Sequence, residues 1–249
     1  MVRFFLEFSY AGTHYHGWQR QPNALSVQEV MEEALSTLLN KETLLVAAGR
    51  TDTGVHARQM FAHFDFNSNE GEEQNLVYQL NQFLPDDLVI HSLKAVKPDA
   101  HARFDAISRT YEYHISKGKT AFENHLHYQM NKPLDFELMN AAAQILLEYE
   151  DFECFSKSKT DVKTFFCNIS YAKWTNSEKG YTFTITANRF LRNMVRAIVG
   201  TLMEIGLKKK TLEDLHQIIA SKKRSEAGYS VPAKGLFLTK IEYPNKIFL

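Results

Sequence analysis

Twice along its 249 residues the hydrophobic pattern runs strand, helix, strand, strand, helix, strand, the second time with one extra helix, and that order constrains the fold more than any single residue does. In the first pass, residues 2–9 alternate around aromatics and read as a strand. Ser26 reads as an N-cap, with Glu29 three residues on to complete a capping box. Val27, Val30, Met31, Ala34, Leu35 and Leu38 then fall on one helical face. Residues 44–48 and 58–66 are expected strands about a turn, 67–74 a polar loop, 76–83 a helix ended before Pro85, and 88–96 a strand. In the second pass, 110–116 is a strand and 135–147 a helix with Phe136, Met139, Ala143 and Leu146 inward. Strands at 165–174 and 181–190 flank a turn at 177–180. Helices follow at 191–205 and 211–220, and a last strand at 235–243. Only the order repeats, not the residues. An α+β fold of two ferredoxin-like βαββαβ halves accounts for it, with mixed or antiparallel sheets joined edge to edge and an active-site cleft between them. The halves divide as residues 1–105 and 106–249.

A hydrophobic content of 44% supplies a core, and charged residues at 23% are ordinary for a water-soluble chain. The N-terminal MVRFFLEFSY is interrupted by Glu7, which argues against a signal peptide or a membrane span. Cys154 and Cys167 form no CxxC and no metal spacing. They read as reduced thiols, so a cytoplasmic location is expected. Net charge is zero but uneven: residues 157–224 hold fourteen Lys and Arg against five Asp and Glu, a net +9. A basic region of this kind suits a polyanion, or simply a solvated lysine-rich surface.

The chemistry concentrates in a turn. Residues 46–59 read VAAGRTDTGVHARQ, where strand gives way to Gly49, then Arg50, Thr51, Asp52, Thr53 and Gly54. Two glycines permit a sharp bend. A carboxylate two residues from a guanidinium, directly after a buried strand, is held in place and stays ionised. Asp-x-Gly alone marks nothing more than a turn.

The residues 49–57, GRTDTGVHA, closely resemble the active-site motif of the TruA family of tRNA pseudouridine synthases. Five further stretches match in the family's order: YAGTHYHGWQRQ (10–21, with SVQEV at 26–30), HARFDA (101–106), RTYEY (109–113), RFLRNMVRAIVGTLMEIG (189–206) and KGLFL (234–238). The resemblance implies an isomerase that breaks the glycosidic bond of a uridine, turns the base and rejoins it through carbon, without cofactor or metal. It makes Asp52 the catalytic aspartate, acting as a nucleophile on sugar or base or as a general base. Arg196 is implied as its cationic partner, and Tyr111 as the ring that stacks on the uracil once that base is flipped out. Arg50 would brace the gap left by the flipped nucleotide, and Phe190, Met194 and Leu236 would wall the pocket. Arg58, Arg103, Arg189 and Arg192 are implied as substrate-binding. Arg20, Arg109, Lys208, Lys209, Lys210 and residues 222–224 add charge for phosphates. The implied substrate is tRNA, at uridines 38, 39 and 40 of the anticodon stem-loop, bound by a homodimer with no membrane involved.

Departures from the pattern are Thr53 after the aspartate, the pair Arg192-Asn193, and Cys167 where an arginine is common. Residues 117–131 match least and receive no role. His14 with His16, and His125 with His127, are HxH pairs that lack further ligands at metal spacing. No P-loop, GxGxxG or HExxH is present. Two other readings remain: a non-catalytic RNA-binding module, and a glycosidase pairing Asp52 with Asp105.

Overall fold

The computed structural model describes residues 1–67, 72–158 and 162–249. The chain is α+β, with open mixed sheet and, among the described residues, five α-helices, and it divides into two compact units. The first comprises Met1–Ser108 with Leu238–Leu249, the second Arg109–Phe237.

In the first unit, β1 (Val2–Tyr10) pairs antiparallel with both β3 (His56–Phe66) and β4 (Leu88–Val96), and the short β2 (Val46–Ala47) pairs with β3. Strand β9 (Leu236–Glu242) runs beside β3 on this sheet. Strand β1 buries Phe4, Phe5, Leu6 and Phe8, so both of its faces are covered. Phe4 meets Phe66, while Phe5 meets Tyr243 and Phe248 of the C-terminal segment edge-on, at 5.0 and 6.2 Å. That segment also hydrogen-bonds the backbone at the end of β4 and the residue after it, Leu249 N–H to Ala95 O and Lys97 N–H to Ile247 O, which covers that edge of the sheet.

Helix α1 (Val27–Leu38) starts at Ser26, whose hydroxyl accepts from Glu29 N–H at 3.3 Å. The second half of the expected capping box goes elsewhere: the Glu29 carboxylate lies 3.5 Å from Arg20 Nη2. Val27, Met31, Ala34 and Leu35 are buried, as the face predicts, and so is Glu32. Glu32 Oε1 accepts the Leu45 N–H at 2.9 Å, which takes that donor away from strand pairing and shortens β2 to two residues instead of the expected five. Helix α2 (Glu72–Phe83) begins earlier than expected, with Glu72 and Glu73 in a first turn where negative charge is favourable. Of the loop expected at 67–74, residues 68–71 lie outside the described residues and 72–74 are helical.

In the second unit, β8 (Gly180–Ala187) pairs antiparallel with β5 (Ser108–Ser116) and with β7 (Ile169–Asn176), and β6 (Tyr128–Gln129) runs parallel to β5. Residues 165–168 are not strand. Phe165 O and Cys167 N–H bond to Phe152 and Glu150, and Asn168 N–H to Asn188 Oδ1, so their polar groups are satisfied away from the sheet. Helix α3 (Phe136–Ile145), capped by Asp135, lies along β7. Its Asn140 and Gln144 amides bond the Trp174 and Ala172 backbone. Helix α4 (Met194–Gly206) is apolar nearly all round and correspondingly buried. It starts at 194, not 191, because Asn193 is left-handed at φ 67°. Helix α5 (Leu212–Ser221) is closed by a complete capping box between Thr211 and Asp214.

Candidate active site

The turn between β2 and β3 carries Asp52, half-buried, and Arg50, exposed. Its shape comes from three sources. Gly54 adopts φ +76°, the left-handed region where glycine alone is unstrained. Val55 N–H closes the bend on Asp52 O at 3.1 Å. The third source is the segment after β1. Tyr10 hydroxyl bonds Thr51 Oγ1 at 2.8 Å, Trp18 N–H donates to Thr51 O, Gly54 N–H donates to Tyr15 O, and Gly12 N–H donates to His56 Nδ1 at 3.0 Å. Two glycines let the two backbones touch. A Cβ on Gly12 would sit 2.0 Å from Val55 O, and one on Gly17, itself at φ +88°, would sit 2.4 Å from Thr51 O and 3.1 Å from Asp52 C. Tyr15 is anchored in turn by donating to Asp87 Oδ1 at 2.6 Å, and burial with that carboxylate raises its pKa, keeping the phenol protonated. Asp52 therefore rides on a loop cradled along its backbone. The expectation that Gly49 helps to form the bend is corrected: its φ is not positive and a side chain there would meet nothing within 4 Å.

In the second unit, Tyr111 lies on β5 and Phe190 follows β8. Register pairs Tyr111 with Ile185 across the ladder, and the Phe190 ring meets Tyr111 edge-on at 5.2 Å. Tyr111 is half-buried, whereas Tyr113, two residues on, is fully buried and donates to Pro232 O. Met194 and Leu236 are buried.

Arg196, half-buried on α4, is clamped to a neighbouring segment. Its Nε donates to Val231 O at 2.7 Å, and Val231 N–H donates back to Arg196 O at 3.2 Å. The segment 227–231 has its own brace in Arg224. One Nη donates to Gly228 O at 3.0 Å and toward Ala227 O, the other to Ser230 Oγ at 2.9 Å. Asn193 Nδ2 also donates to Ser230 Oγ, and Gly228 N–H donates to Thr201 Oγ1. Gly200 leaves room for Tyr229 O to lie against the helix.

The basic residues divide. Arg224 faces inward, away from the phosphate role expected for residues 222–224. Lys222 pairs with Asp151 at 2.6 Å, Lys208 with Asp135 at 3.3 Å, Lys210 with Glu204 at 3.8 Å, and Arg20 with Glu29, Glu32 and Glu33. Arg109 Nη1 donates to Asn188 O. Arg58, Arg103 and Arg192 are exposed and Arg189 is half-buried. Lys159 and Asp161 of the basic stretch lie outside the described residues. Asp105, the second acid a glycosidase would need, accepts His101 N–H at 2.7 Å and closes the 101–105 turn. Among the described residues no three His, Cys, Asp or Glu side chains gather as metal ligands. No helix among them is long and apolar enough to cross a membrane.

Three structural contributors were not legible as such in the sequence: the brace at 10–18, Arg224 with its 227–231 segment, and buried Glu32. The signal for the first was present in Gly12, Gly17 and the interleaved aromatics, which have no other reason to cluster in so short a stretch.

Known proteins bear on these parts together. A family model described as tRNA pseudouridine synthase matches residues 8–105 and 142–244. The chain is 50% identical to tRNA pseudouridine synthase A of Bacteroides fragilis over 247 residues, covering 99% of this chain and 98% of that protein. It is 50% identical to the protein of the same name from Porphyromonas gingivalis over the full length of both. It is 41% identical to that of Acetivibrio thermocellus, over 96% of this chain and 98% of the relative. With a family model spanning most of its length and such relatives spanning nearly all of it, the chain belongs to the tRNA pseudouridine synthase family and is an isomerase of that class.

Proposed function

We propose that the protein converts uridine to pseudouridine at positions 38, 39 and 40 of the tRNA anticodon stem-loop, with Asp52 as the catalytic carboxylate. The observation that carries this reading is the Asp52 loop, GRTDTGVHA, held at its backbone by Tyr15, Gly17 and Trp18 and at its Thr51 and His56 side chains by Tyr10 and Gly12. A carboxylate fixed on a cradled loop is suited to nucleophilic or general-base chemistry, where position governs rate. A protein that only binds RNA has no use for it, since a carboxylate repels phosphate.

The uridine reaches the carboxylate by leaving the stem. Flipping costs a few kcal/mol, and stacking on an aromatic ring returns roughly 1–3 kcal/mol of that. Tyr111 is the ring in this reading, held by Phe190 edge-on. Arg50 braces the vacated position. Arg196 is the cationic partner of Asp52 in this reading, its orientation set by Val231. Phe190, Met194 and Leu236 exclude water, and Arg58, Arg103, Arg189 and Arg192 contact the RNA. Asp52 attacks the sugar or the base, or acts as the base of a glycal route. The protein works as a homodimer in the cytoplasm.

The test uses tRNA tritiated at uridine C5. Isomerisation makes carbon 5 the point of attachment and releases the label with the base retained. A hydrolase leaves an abasic site, and a binding module does neither. Asp52→Asn should fold and bind tRNA as the wild type does yet release no label above background. Normal turnover by that variant would refute the assignment.

A further inference from the structure

We infer that Phe104 is a stacking platform for an unpaired nucleobase of the RNA substrate, a role that rests on the RNA-modifying reading above. Phe104 is 74% exposed, a large apolar ring presented to solvent. Loop tips often carry such a residue loosely. This one is built in. Asp105 Oδ2 accepts His101 N–H, Asp105 N–H donates to His101 O, and His101 Nδ1 accepts from the N–H groups of Arg103 and Phe104, at 3.1 and 3.4 Å. Ala102, fully buried, donates its N–H to His63 Nδ1 at 3.1 Å. The 101–105 turn is thus tied at five consecutive residues and fastened to β3.

The ring is supported as well as the backbone. His101 lies against Phe104 with centroids 4.3 Å apart and planes 37° from each other, and His63 meets His101 at 4.7 Å. The guanidinium carbon of Arg103 stands 5.7 Å from the Phe104 centroid. The result is an aromatic ring backed by a second ring and flanked by a cation.

That combination points to one ligand chemistry. A nucleobase offers a flat π-face to the ring, and its phosphodiester offers negative charge to the neighbouring arginine. Stacking of this kind is indifferent to base identity, as suits an enzyme that meets different sequences around its target. A rigid platform also gives up little conformational entropy on binding. The interaction is distinct from a phosphate contact in one measurable respect: stacking adds affinity without releasing counterions, so it leaves the salt dependence of binding unchanged.

The experiment titrates an anticodon stem-loop RNA into wild type, Phe104→Ala and Phe104→Trp across a salt series, alongside tritium release and sedimentation. Phe104→Ala should weaken binding about tenfold at every salt concentration, with the slope of log K against log salt unchanged. Phe104→Trp should keep wild-type affinity, and its fluorescence should be quenched on RNA addition against a constant background from buried Trp18 and Trp174. Affinity of Phe104→Ala within twofold of wild type would overturn the inference. So would a changed oligomeric state accounting for the loss, which would make Phe104 a contact between copies of the chain. Wild-type protein that binds this RNA but releases no tritium would overturn the functional reading instead, while the affinity comparison still decides the role of Phe104.

Discussion

Gly17 and Gly49 stand on either side of the Asp52 argument, and substituting each with alanine separates them. At Gly17 the backbone sits at φ +88°, where an L side chain costs roughly 1–2 kcal/mol. The new Cβ would lie 2.4 Å from Thr51 O and 3.1 Å from Asp52 C, and neither atom belongs to a flexible side chain. Relief therefore requires the loop backbone itself to retreat by on the order of 1 Å, an overpacking term of about 1–3 kcal/mol. Together these give about 2–5 kcal/mol of destabilisation, or roughly 5–15 °C in melting temperature for a chain of this size. The retreat is in the loop that carries Asp52. A displacement of that order is worth about a hundredfold in rate. Gly17→Ala should thus lose about two orders of magnitude in kcat for tritium release, measured below its melting point. Gly49→Ala should turn over normally and melt at or slightly above the wild-type temperature, because its conformation suits alanine and the space is open. The reasoning is refuted if Gly17→Ala matches wild type in both melting and turnover, or if Gly49→Ala is the more damaging of the two.

Arg224→Gln should lower kcat by about tenfold to a hundredfold through loosening of the 227–231 segment that orients Arg196, with KM and the salt slope of tRNA binding unchanged. A raised KM with a shallower slope would restore the phosphate-contact role expected from sequence. Burial lowers the pKa of His63 to about 4, from an ordinary value of 6.5, and Ala102 N–H donates to the ring nitrogen that must stay unprotonated. Between those values the unfolded chain binds more protons than the folded one, so stability should be complete above pH 6.5 and fall as pH drops toward 4. His63→Gln should flatten that part of the denaturant-midpoint profile, and an unchanged profile would count against it.

The strands and helices were legible wherever the buried pattern was decided locally. The Ser26 cap, the helical face of Val27, Met31, Ala34 and Leu35, and the Thr211 start all depend on residues within a turn or two of each other. Expectations failed where a distant side chain took over a backbone group. Glu32 reaches thirteen residues along to take Leu45 N–H, and the strand expected at 44–48 contracts. Asn188 takes Asn168 N–H, and the strand expected from 165 begins at 169. Alternation of hydrophobic residues carries no trace of such capture, because the capturing residue is polar and lies in another element.

The same distinction explains what the sequence could say about the candidate site. A motif marks residues whose chemistry is unusual for their surroundings, such as Asp52 on its bend or Arg196 within an apolar helix. It does not distinguish a charge that meets substrate from one that holds the scaffold. Arg224 and Lys222 are two residues apart in a basic cluster. One is consumed by three backbone and hydroxyl acceptors, the other by Asp151. Phe104 presents the opposite case: its composition suggests core, yet its turn holds it in solvent. In each instance the deciding quantity is where hydrogen-bonding capacity is spent. A cation whose donors are filled by carbonyls orients its neighbours, and an apolar ring whose backbone is fixed on all sides has been placed to meet something from outside the chain.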